Sequence, residues 1–223
     1  MKVKVFSLLL VLSVIMAVSC KGPQGERAAT GEAKSVIEAD GDVFLASLET
    51  TVVEWIGTKP TGYHDGTISV KSGYVVVNEG VVTGGEIVID MNSILVLDIE
   101  DPETNAKLRG HLLSADFFEV ETYPEARFVI TSVEEFTGEQ TGEIMFTHMV
   151  SGNLSMKDVT RNITFPASIG VGDDRMKASS DFFIIDRSEW NIRFGSRKFF
   201  DNLRDNFIHD DIMLKITFEG FLQ

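Results

Sequence analysis

Residues 153–165 read Asn-Leu-Ser-Met-Lys-Asp-Val-Thr-Arg-Asn-Ile-Thr-Phe, and this stretch decides the fold class. Apolar and polar residues alternate on both sides of the central Lys-Asp pair, which is the pattern of two half-buried strands joined by a tight turn. Such a hairpin is antiparallel, and apolar side chains are expected to meet across it: Leu154 and Met156 with Ile163 and Phe165.

Strand signals recur along the remainder of residues 44–223. Runs rich in β-branched and aromatic residues, bounded by Gly, Asn and Asp, predict strands at 51–56, 67–71, 74–77, 86–91, 127–133, 144–150, 176–185 and 212–221. Helical spacing of leucines is confined to 103–114, and a second short helix could form near 198–205. Roughly eight to ten strands at this spacing predict one all-β domain, an antiparallel barrel or sandwich with one or two short helices.

The first twenty residues have the layout of a secretory signal. Lys2 and Lys4 precede an apolar run from 5 to 18, which is too short to span a bilayer. The single Cys of the chain, Cys20, follows Ala-Val-Ser at the position where a bacterial lipobox has its lipidated residue. We therefore predict a signal peptide over 1–19, lipidation of Cys20, and localisation in a bacterial cell envelope facing the periplasm. An ordinary signal peptide with an incidental Cys is the alternative.

The segment after the signal is predicted to be a flexible tether. Residues 20–43 are rich in Gly, Ala, Thr and Glu and offer few side chains that could be buried. The predicted organisation is therefore a signal peptide at 1–19, a lipidated Cys with its tether at 20–43, and the β-domain at 44–223.

Charge and motif content argue against several functional classes. The 223-residue chain carries 34 acidic and 20 basic residues, a net charge of −14, so no nucleic-acid partner is expected. One Cys excludes an internal disulfide and a Cys-cluster metal site. The sequence has no nucleophile elbow, P-loop or dinucleotide motif, and its histidines form no metal-binding pair: His64, His111, His148 and His209. We predict no catalytic residues, no cofactor and no metal.

Six segments, in the same order, resemble the YceI-like family. They are Trp-Ile-Gly-Thr-Lys at 55–59 followed by Gly-Tyr-His-Asp-Gly at 62–66, and then 89–94, 108–120, 123–128, 152–160 and 185–187. The resemblance covers about residues 48–222. Residues 193–207 depart locally from the family pattern.

The resemblance implies a lipocalin-like antiparallel β-barrel that holds a long apolar chain, such as a polyisoprenoid, a quinone-like molecule or another amphiphile. An eight-stranded barrel has an interior wide enough for one slender ligand. Each methylene group taken out of water contributes about 0.8 kcal/mol, so a long tail could bind without a charged contact. The implied partners are this lipid and the membrane reached through Cys20. Whether the protein is a monomer or a homodimer is left open.

Candidate ligand contacts follow from strand alternation and from the ends of the barrel. The inward strand positions are Trp55, Ile68, Val70, Phe128, Ile130, Leu154, Ile163, Phe165, Phe183 and Ile185. Phe117, Phe118, Trp190 and Phe194 are loop or end positions that could line the mouth. His111 could contact a head group or hold a loop, and Arg187 could bind a pyrophosphate or pair with Asp186. An ordinary apolar core would use the same residue types, so the two roles stay open at each position.

Three functions are compatible with this sequence. The leading hypothesis is a lipid-anchored binding protein that carries or sequesters the amphiphile. The second is an envelope enzyme that acts on such a lipid through His111 or acidic residues at the mouth. The third is a structural or stress-response barrel whose interior is filled by its own side chains.

Overall fold

A computed structural model of the chain describes residues 25–36, 38–140 and 144–223. The strands are β1 (Glu26–Arg27), β2 (Ala29–Glu32), β3 (Asp42–Ala46), β4 (Val52–Lys59), β5 (Gly62–Asn78), β6 (Val81–Asp90), β7 (Leu95–Val96), β8 (Glu125–Glu135), β9 (His148–Met156), β10 (Val159–Val171), β11 (Arg175–Ser180), β12 (Phe183–Asp186) and β13 (Asp211–Leu222). These described residues contain one α-helix, α1 (Pro102–Leu113), and short 3₁₀ turns at Met91–Ser93, Arg187–Trp190 and Arg204–Asn206.

Backbone pairing closes the sheet into a ring. The order β4–β5–β6–β8–β9–β10–β11–β13 returns to β4, and every neighbouring pair is antiparallel. Closure satisfies the backbone hydrogen bonds that an open sheet would leave along its two edges. The expectation of an all-β, lipocalin-like antiparallel barrel is therefore confirmed.

Two positions in the ring are each filled by two short strands placed end to end. Strands β3 and β4 both lie between β13 and β5. Strands β11 and β12 both pair with β13, but only β11 also pairs with β10. The predicted single strand at 176–185 is thus broken at 181–182, and the second half leaves a gap between β12 and β10.

The N-terminal segment fills that gap, which differs from the flexible tether predicted over 20–43. Strand β1 pairs in parallel with β12, and β2 pairs antiparallel with β10. The Ala28 amide donates to the carbonyl of Ile184 between them. We call residues 26–34 the N-terminal strap. Amino-acid composition does not reveal this pairing, because the strap is held mainly through its backbone. Ala28 is its one buried apolar side chain.

Helix α1 covers one end of the barrel. Its first turn is capped by the Asp101 side chain, which accepts a hydrogen bond from the Thr104 amide, and Pro102 occupies the first helical position. Leu112 is buried and Leu108 packs against the core. The helix predicted at 103–114 is confirmed, whereas the second helical signal near 198–205 yields only the 3₁₀ turn Arg204–Asn206.

The β9–β10 hairpin forms as expected, but its predicted pairing is wrong, because an antiparallel match of Leu154 and Met156 with Phe165 and Ile163 is displaced by four residues from the observed one. The two-residue turn places Met156 opposite Val159 and therefore Leu154 opposite Arg161. Ile163 then lies opposite Gly152, and Phe165 lies opposite Val150. Turn length fixes the register of a hairpin, and this turn needs a left-handed residue, Lys157, whose φ is 53°.

The predicted signal peptide at 1–19 and the predicted lipidation site at Cys20 lie outside the described residues. Within the described part of the chain, no helix has the length and apolar character needed to cross a membrane.

Candidate functional site

A cavity of about 390 Å³ lies inside the barrel at the end covered by α1. Its deeper wall is apolar and comes from β4, β5, β6, β9 and β13, with side chains that include Val53, Ile68, Ile89, Leu154 and Leu214. The volume falls within the range of small-molecule sites, which are about 300–1,000 Å³. Helix α1 contributes Leu108 and Leu112, which lie one helical turn apart.

Exposed lining residues show where the cavity reaches the surface. Lys59 and Thr61 lie on the β4–β5 turn, and Asp205 and Asn206 lie on the loop between β12 and β13. Phe194, from the same loop, is also exposed. The mouth is therefore framed by the β4–β5 turn on one side and the β12–β13 loop on the other.

An aromatic cluster joins α1 to that loop at the mouth. The His111 ring meets Phe117 edge-on at 5.1 Å and Phe194 edge-on at 4.5 Å between ring centroids. Phe117 and Phe194 are 5.6 Å apart, and Phe118 lies 6.4 Å from Phe117. The Nε2 atom of His111 is 3.4 Å from the Asp116 carboxylate. The cluster gives the mouth an apolar surface with one partly exposed imidazole in it.

Arg187 is fully enclosed beside the cavity, with 2% of its surface exposed. Its Nε donates to the His209 carbonyl at 3.2 Å, Nη1 to Ile192 at 2.7 Å and Nη2 to Ile208 at 3.3 Å. Burial lowers the pKa of Arg187, although the nearby Asp210 and Asp186 carboxylates oppose that shift. The guanidinium thus organises the β12–β13 loop, and most of its donors are committed to backbone carbonyls.

Two polar atoms on the cavity wall lack a partner. The indole Nε1 of Trp55 and the hydroxyl of Thr58 are buried, and neither has a hydrogen-bond partner among the described residues. Both residues line the cavity. A buried donor left unpaired costs about 1–3 kcal/mol, so this wall is suited to a ligand that carries an oxygen acceptor.

An imidazole–carboxylate pair flanks the β4–β5 turn. Nδ1 of His64 lies 2.8 Å from Oδ2 of Asp98, and Oδ1 of Asp98 accepts from the Asp65 amide at 3.1 Å. Burial opposes ionisation of Asp98, but the His64 and Asp65 hydrogen bonds outweigh it and hold the pKa of Asp98 below its ordinary value. The pair fastens the segment after β7 to β5 and fixes the orientation of the His64 ring at the cavity.

A second, smaller cavity of about 90 Å³ lies deeper in the barrel. It shares Val53 and Ile89 with the larger one, and Phe128 and Phe165 stand in its wall, 5.9 Å apart. Phe165 in turn stacks on Phe183 at 4.3 Å. The barrel interior is therefore open near α1 and mostly filled by aromatic side chains at the other end.

The structure divides the sixteen predicted ligand contacts into three groups. Eight line the larger cavity: Trp55, Ile68, His111, Phe117, Phe118, Leu154, Arg187 and Phe194. Three line the smaller one: Phe128, Ile130 and Phe165. Five are buried but line neither, namely Val70, Ile163, Phe183, Ile185 and Trp190. Trp190 is fully enclosed and donates from Nε1 to the Leu154 carbonyl at 2.9 Å, so it closes the barrel wall and does not face the mouth.

Several lining residues were missed because they are small or polar, or lie in an irregular loop. Gly57 follows Val53 and Trp55 in inward register, and a Cβ at this position would meet no atom within 4 Å. Thr58 and Lys59 belong to the Trp-Ile-Gly-Thr-Lys motif at 55–59, but nothing in that motif indicates that their side chains line the cavity. Asp205, Asn206 and Ile208 carry no periodic signal, since they lie in the irregular loop between β12 and β13.

Comparison with known proteins places the fold in context. The model of the family described as "YceI-like domain" matches residues 42–220. A UPF0312 protein of Pseudomonas putida (strain GB-1) is 46% identical over 71 residues, which are 31% of this chain and 33% of that protein. A UPF0312 protein of Pseudomonas syringae pv. tomato (strain ATCC BAA-871 / DC3000) is 42% identical over 71 residues, with the same shares. The chain therefore matches about a third of the length of these curated relatives.

Two solved structures share the architecture. Burkholderia cenocepacia BcnA has a TM-score of 0.58 and 18% identity, covering 78% of this chain and 98% of BcnA. A polyisoprenoid binding domain from Saccharophagus degradans, implicated in plant cell wall breakdown, has a TM-score of 0.57 and 16% identity, covering 82% of this chain and all of that domain. At these identities the likeness establishes the fold alone.

Proposed function

This chain belongs to the YceI-like domain family, and from that premise we propose that it binds one long-chain amphiphile inside its barrel. The proposed ligand class is a polyisoprenoid, a quinone-like molecule or a similar chain. The polyisoprenoid binding named for the Saccharophagus degradans domain supports this class. The proposed role is binding without turnover.

The observation that carries the proposal is the apolar cavity of about 390 Å³ that opens at one end of the barrel. A barrel filled by its own side chains would leave no such space, and packed interiors contain few voids larger than a water molecule. Val53, Ile68 and Leu214 offer apolar contacts along the wall. Because each methylene contributes about 0.8 kcal/mol on leaving water, a tail of a few isoprene units would bind without an ionic contact.

The head group that suits this cavity is uncharged and carries oxygen. The unpaired Trp55 indole N–H and Thr58 hydroxyl could both donate to a carbonyl, ether or hydroxyl oxygen, whereas a pure hydrocarbon would leave them unsatisfied. A pyrophosphate would meet Lys59 but also Asp205, and it would find most of the Arg187 donors already used by backbone carbonyls. The charge arrangement therefore favours a neutral head group.

A cavity-blocking variant tests ligand binding. Gly57→Phe would project a ring into open space on the cavity wall, and Gly170→Phe makes the same change at an exposed position of β10 where the new side chain is also unobstructed. In a titration with a fluorescent polyprenyl probe, we expect saturable binding to the wild type and to Gly170→Phe, and at least about tenfold weaker binding to Gly57→Phe. Equal binding by all three proteins would contradict the proposed cavity.

Native mass spectrometry of protein purified from a bacterial periplasm gives a second, independent readout. We expect one apolar adduct per chain on the wild type and on Gly170→Phe, with the adduct recovered chemically unchanged. The same spectrum reports whether the protein is a monomer or a homodimer. A bare mass together with no probe binding would favour a structural barrel, and a converted adduct would favour an enzyme.

The neutral head group is tested with three ligands of equal chain length: a polyprenol, its pyrophosphate and the corresponding hydrocarbon. Trp55→Phe and Thr58→Val each remove one hydrogen-bonding group from the cavity wall. Thr137→Val is the control, since it makes the same Thr-to-Val change at an exposed position outside the cavity. We expect Trp55→Phe and Thr58→Val to weaken polyprenol binding about five- to tenfold without weakening hydrocarbon binding, and Thr137→Val to bind both ligands like the wild type. Preference for the pyrophosphate would overturn the neutral head group.

We further propose that the protein is an envelope lipoprotein anchored through Cys20 and facing the periplasm. The support is the sequence: a basic start, an apolar run and a lone Cys after Ala-Val-Ser. Metabolic labelling with a fatty acid should mark the wild type and not Cys20→Ser. Labelling of both proteins, or of neither, would contradict the anchor.

A further inference from the structure

The loop of residues 193–204 has a composition unlike the rest of the chain. Its twelve residues include four basic side chains and one acidic one, in a protein with 34 acidic and 20 basic residues. It also carries three phenylalanines, Phe194, Phe199 and Phe200. We call this segment the basic aromatic loop.

The basic aromatic loop forms one side of the cavity mouth. Phe194 lines the cavity, and Asp205 and Asn206 line it directly after the loop ends. The Gly195 carbonyl accepts a hydrogen bond from the Ile208 amide at 2.9 Å, which ties the loop to the cavity wall. Anything that binds the outer surface of this loop therefore lies next to the point where a ligand must enter.

The aromatic side chains of the loop are presented to solvent. Phe199 and Phe200 are 44% and 47% exposed. On the opposite side of the mouth, the β4–β5 turn presents Tyr63, which is 59% exposed, together with the exposed Lys59. Aromatic rings accompanied by cations thus lie on both sides of the opening.

Three arginines of the loop have no acidic partner within the described ranges: Arg193, Arg197 and Arg204. The guanidinium of Arg193 lies 4.7 Å from the Phe199 ring centroid, and Nη2 of Arg197 donates to the Arg204 carbonyl at 2.9 Å. Lys198 differs, since it pairs with Asp186 and anchors the loop to the end of β12. The loop is therefore held in shape while three of its charges remain available to an anion.

We propose that the basic aromatic loop docks the mouth of the barrel on an anionic lipid bilayer. Phenyl rings enter the boundary between head groups and acyl chains, and arginines bind lipid phosphates, which is the chemistry of interfacial anchors. The net charge of −14 does not prevent this, because exposed charges more than about 8 Å away are largely screened at physiological salt. The bilayer is favoured over an acidic protein because the loop borders the entrance to a cavity lined for apolar chains.

The test measures sedimentation of residues 21–223, which contain every described strand, with vesicles of phosphatidylglycerol and phosphatidylcholine. We expect binding that weakens as salt rises and that is lost on pure phosphatidylcholine. Phe199→Ser combined with Phe200→Ser should lower the partition coefficient about tenfold or more. Arg193→Gln combined with Arg204→Gln should reduce it and flatten its salt dependence.

Phe221→Ser is the matched control. Phe221 is 41% exposed and has Arg175 5.2 Å from its ring centroid, but it lies at the end of the barrel away from the mouth. We expect this variant to sediment like the wild type. Equal loss in Phe221→Ser, or wild-type protein that stays in solution with anionic vesicles at low salt, would overturn the docking proposal.

Ligand binding separates this proposal from the proposed function. In solution, the polyprenyl probe should bind the loop variants as tightly as the wild type, because neither phenylalanine lines the cavity. Transfer of the probe from anionic vesicles to the protein should be several-fold slower in the loop variants. Unchanged transfer rates would contradict docking, even where the probe itself binds.

Discussion

At the scale of single residues, Arg187 joins two stretches of backbone and satisfies three of their carbonyls. It reaches His209, Ile208 and Ile192 while 2% exposed. Removing a buried, hydrogen-bonded charge typically costs about 3–5 kcal/mol. We expect Arg187→Leu to lower the free energy of unfolding by about that amount in urea titrations, and Arg187→Lys to recover little of it because an ammonium lacks the planar fork. Arg175→Leu, at an exposed arginine, should change it little, and equal effects at the two sites would contradict this role.

Asp186 gives one residue-scale prediction about pH. Burial raises its pKa, but hydrogen bonds from Lys198 and Ser188 outweigh burial, so the pKa of Asp186 in the folded protein is below its ordinary value. A carboxylate with a lowered pKa contributes stability that is fully present above the unfolded pKa, about 3.9, and is lost as pH falls through the folded pKa. We therefore expect urea stability to fall less between about pH 5 and pH 2 in Asp186→Asn than in the wild type.

The exposed Asp173, in the β10–β11 turn, is the control for this measurement. Asp173→Asn should retain the wild-type acid dependence of unfolding. If Asp186→Asn loses as much urea stability in acid as the wild type does, Asp186 is not the source of the acid sensitivity.

The sequence predicts which residues face inward more reliably than it predicts which of them border the cavity. Alternation identified Trp55, Ile68 and Leu154, and all three line it. The same alternation selected Ile163 and Phe183, which are buried in the core because the barrel is filled at their level. Depth along a barrel depends on strand stagger, which a period of two does not encode. Gly57 could not be predicted from alternation, because it has no side chain and borders the cavity only by leaving space for it.

At the scale of elements, the N-terminal strap closes the gap that the break at 181–182 leaves between β12 and β10. Asn153 fastens its last part, because Nδ2 donates to the Lys34 carbonyl at 2.7 Å and Oδ1 accepts from the Lys34 amide at 2.9 Å. The same oxygen accepts from Asn162 at 3.1 Å. The strap thus carries part of the barrel's hydrogen bonding, although its composition is typical of a linker.

We expect Asn153→Ala to release the strap before the rest of the barrel unfolds. Amide exchange over residues 26–34 should accelerate, and global stability should fall by about 1–3 kcal/mol, since the Lys34 backbone groups and Asn162 lose their partner. Ser155→Ala, two residues along the same strand, removes a hydroxyl that contacts Thr160 and not the strap. Amide exchange over residues 26–34 in Ser155→Ala should match that of the wild type. Uniform acceleration across all strands in Asn153→Ala would indicate general unfolding and not release of the strap.

Elements with side-chain patterns were predictable, and those defined by the backbone were not. Strand β8 follows from spacing because the buried Ala126 and Phe128 alternate with the exposed Arg127, and helix α1 follows from the spacing of Leu108 and Leu112, which pack on the core. Strands β1 and β2 have almost no buried side chains, so no hydropathy pattern marks them. The register of the β9–β10 hairpin is fixed by the length of its turn. Matching apolar residues across the two strands was therefore not enough to predict it.

At the scale of the whole molecule, the chemistry differs between the two ends of the barrel. The end near α1 has the larger cavity, the unpaired Trp55 and Thr58 atoms and the basic aromatic loop. The other end is filled by stacked aromatics around Phe165 and holds the smaller cavity of about 90 Å³. A ligand would therefore enter from the α1 end with its tail leading. Its oxygen-bearing head would stay near the mouth, where the polar atoms lie.

If the proposed amphiphile binds in this cavity, the stability of the whole barrel should depend on it. A molecule that binds only the folded state stabilises it by RT ln(1 + [L]/Kd), which is about 2.7 kcal/mol at a free concentration of 100 Kd. For a domain of this size, 1 kcal/mol moves the melting temperature by about 2–4 °C, so we expect a rise of about 5–10 °C in differential scanning fluorimetry with a polyprenol. Gly170→Phe should show the same rise, and Gly57→Phe should show almost none although its own ligand-free melting temperature is no lower. An equal rise in Gly57→Phe would mean that the lipid stabilises the protein from a surface outside the cavity.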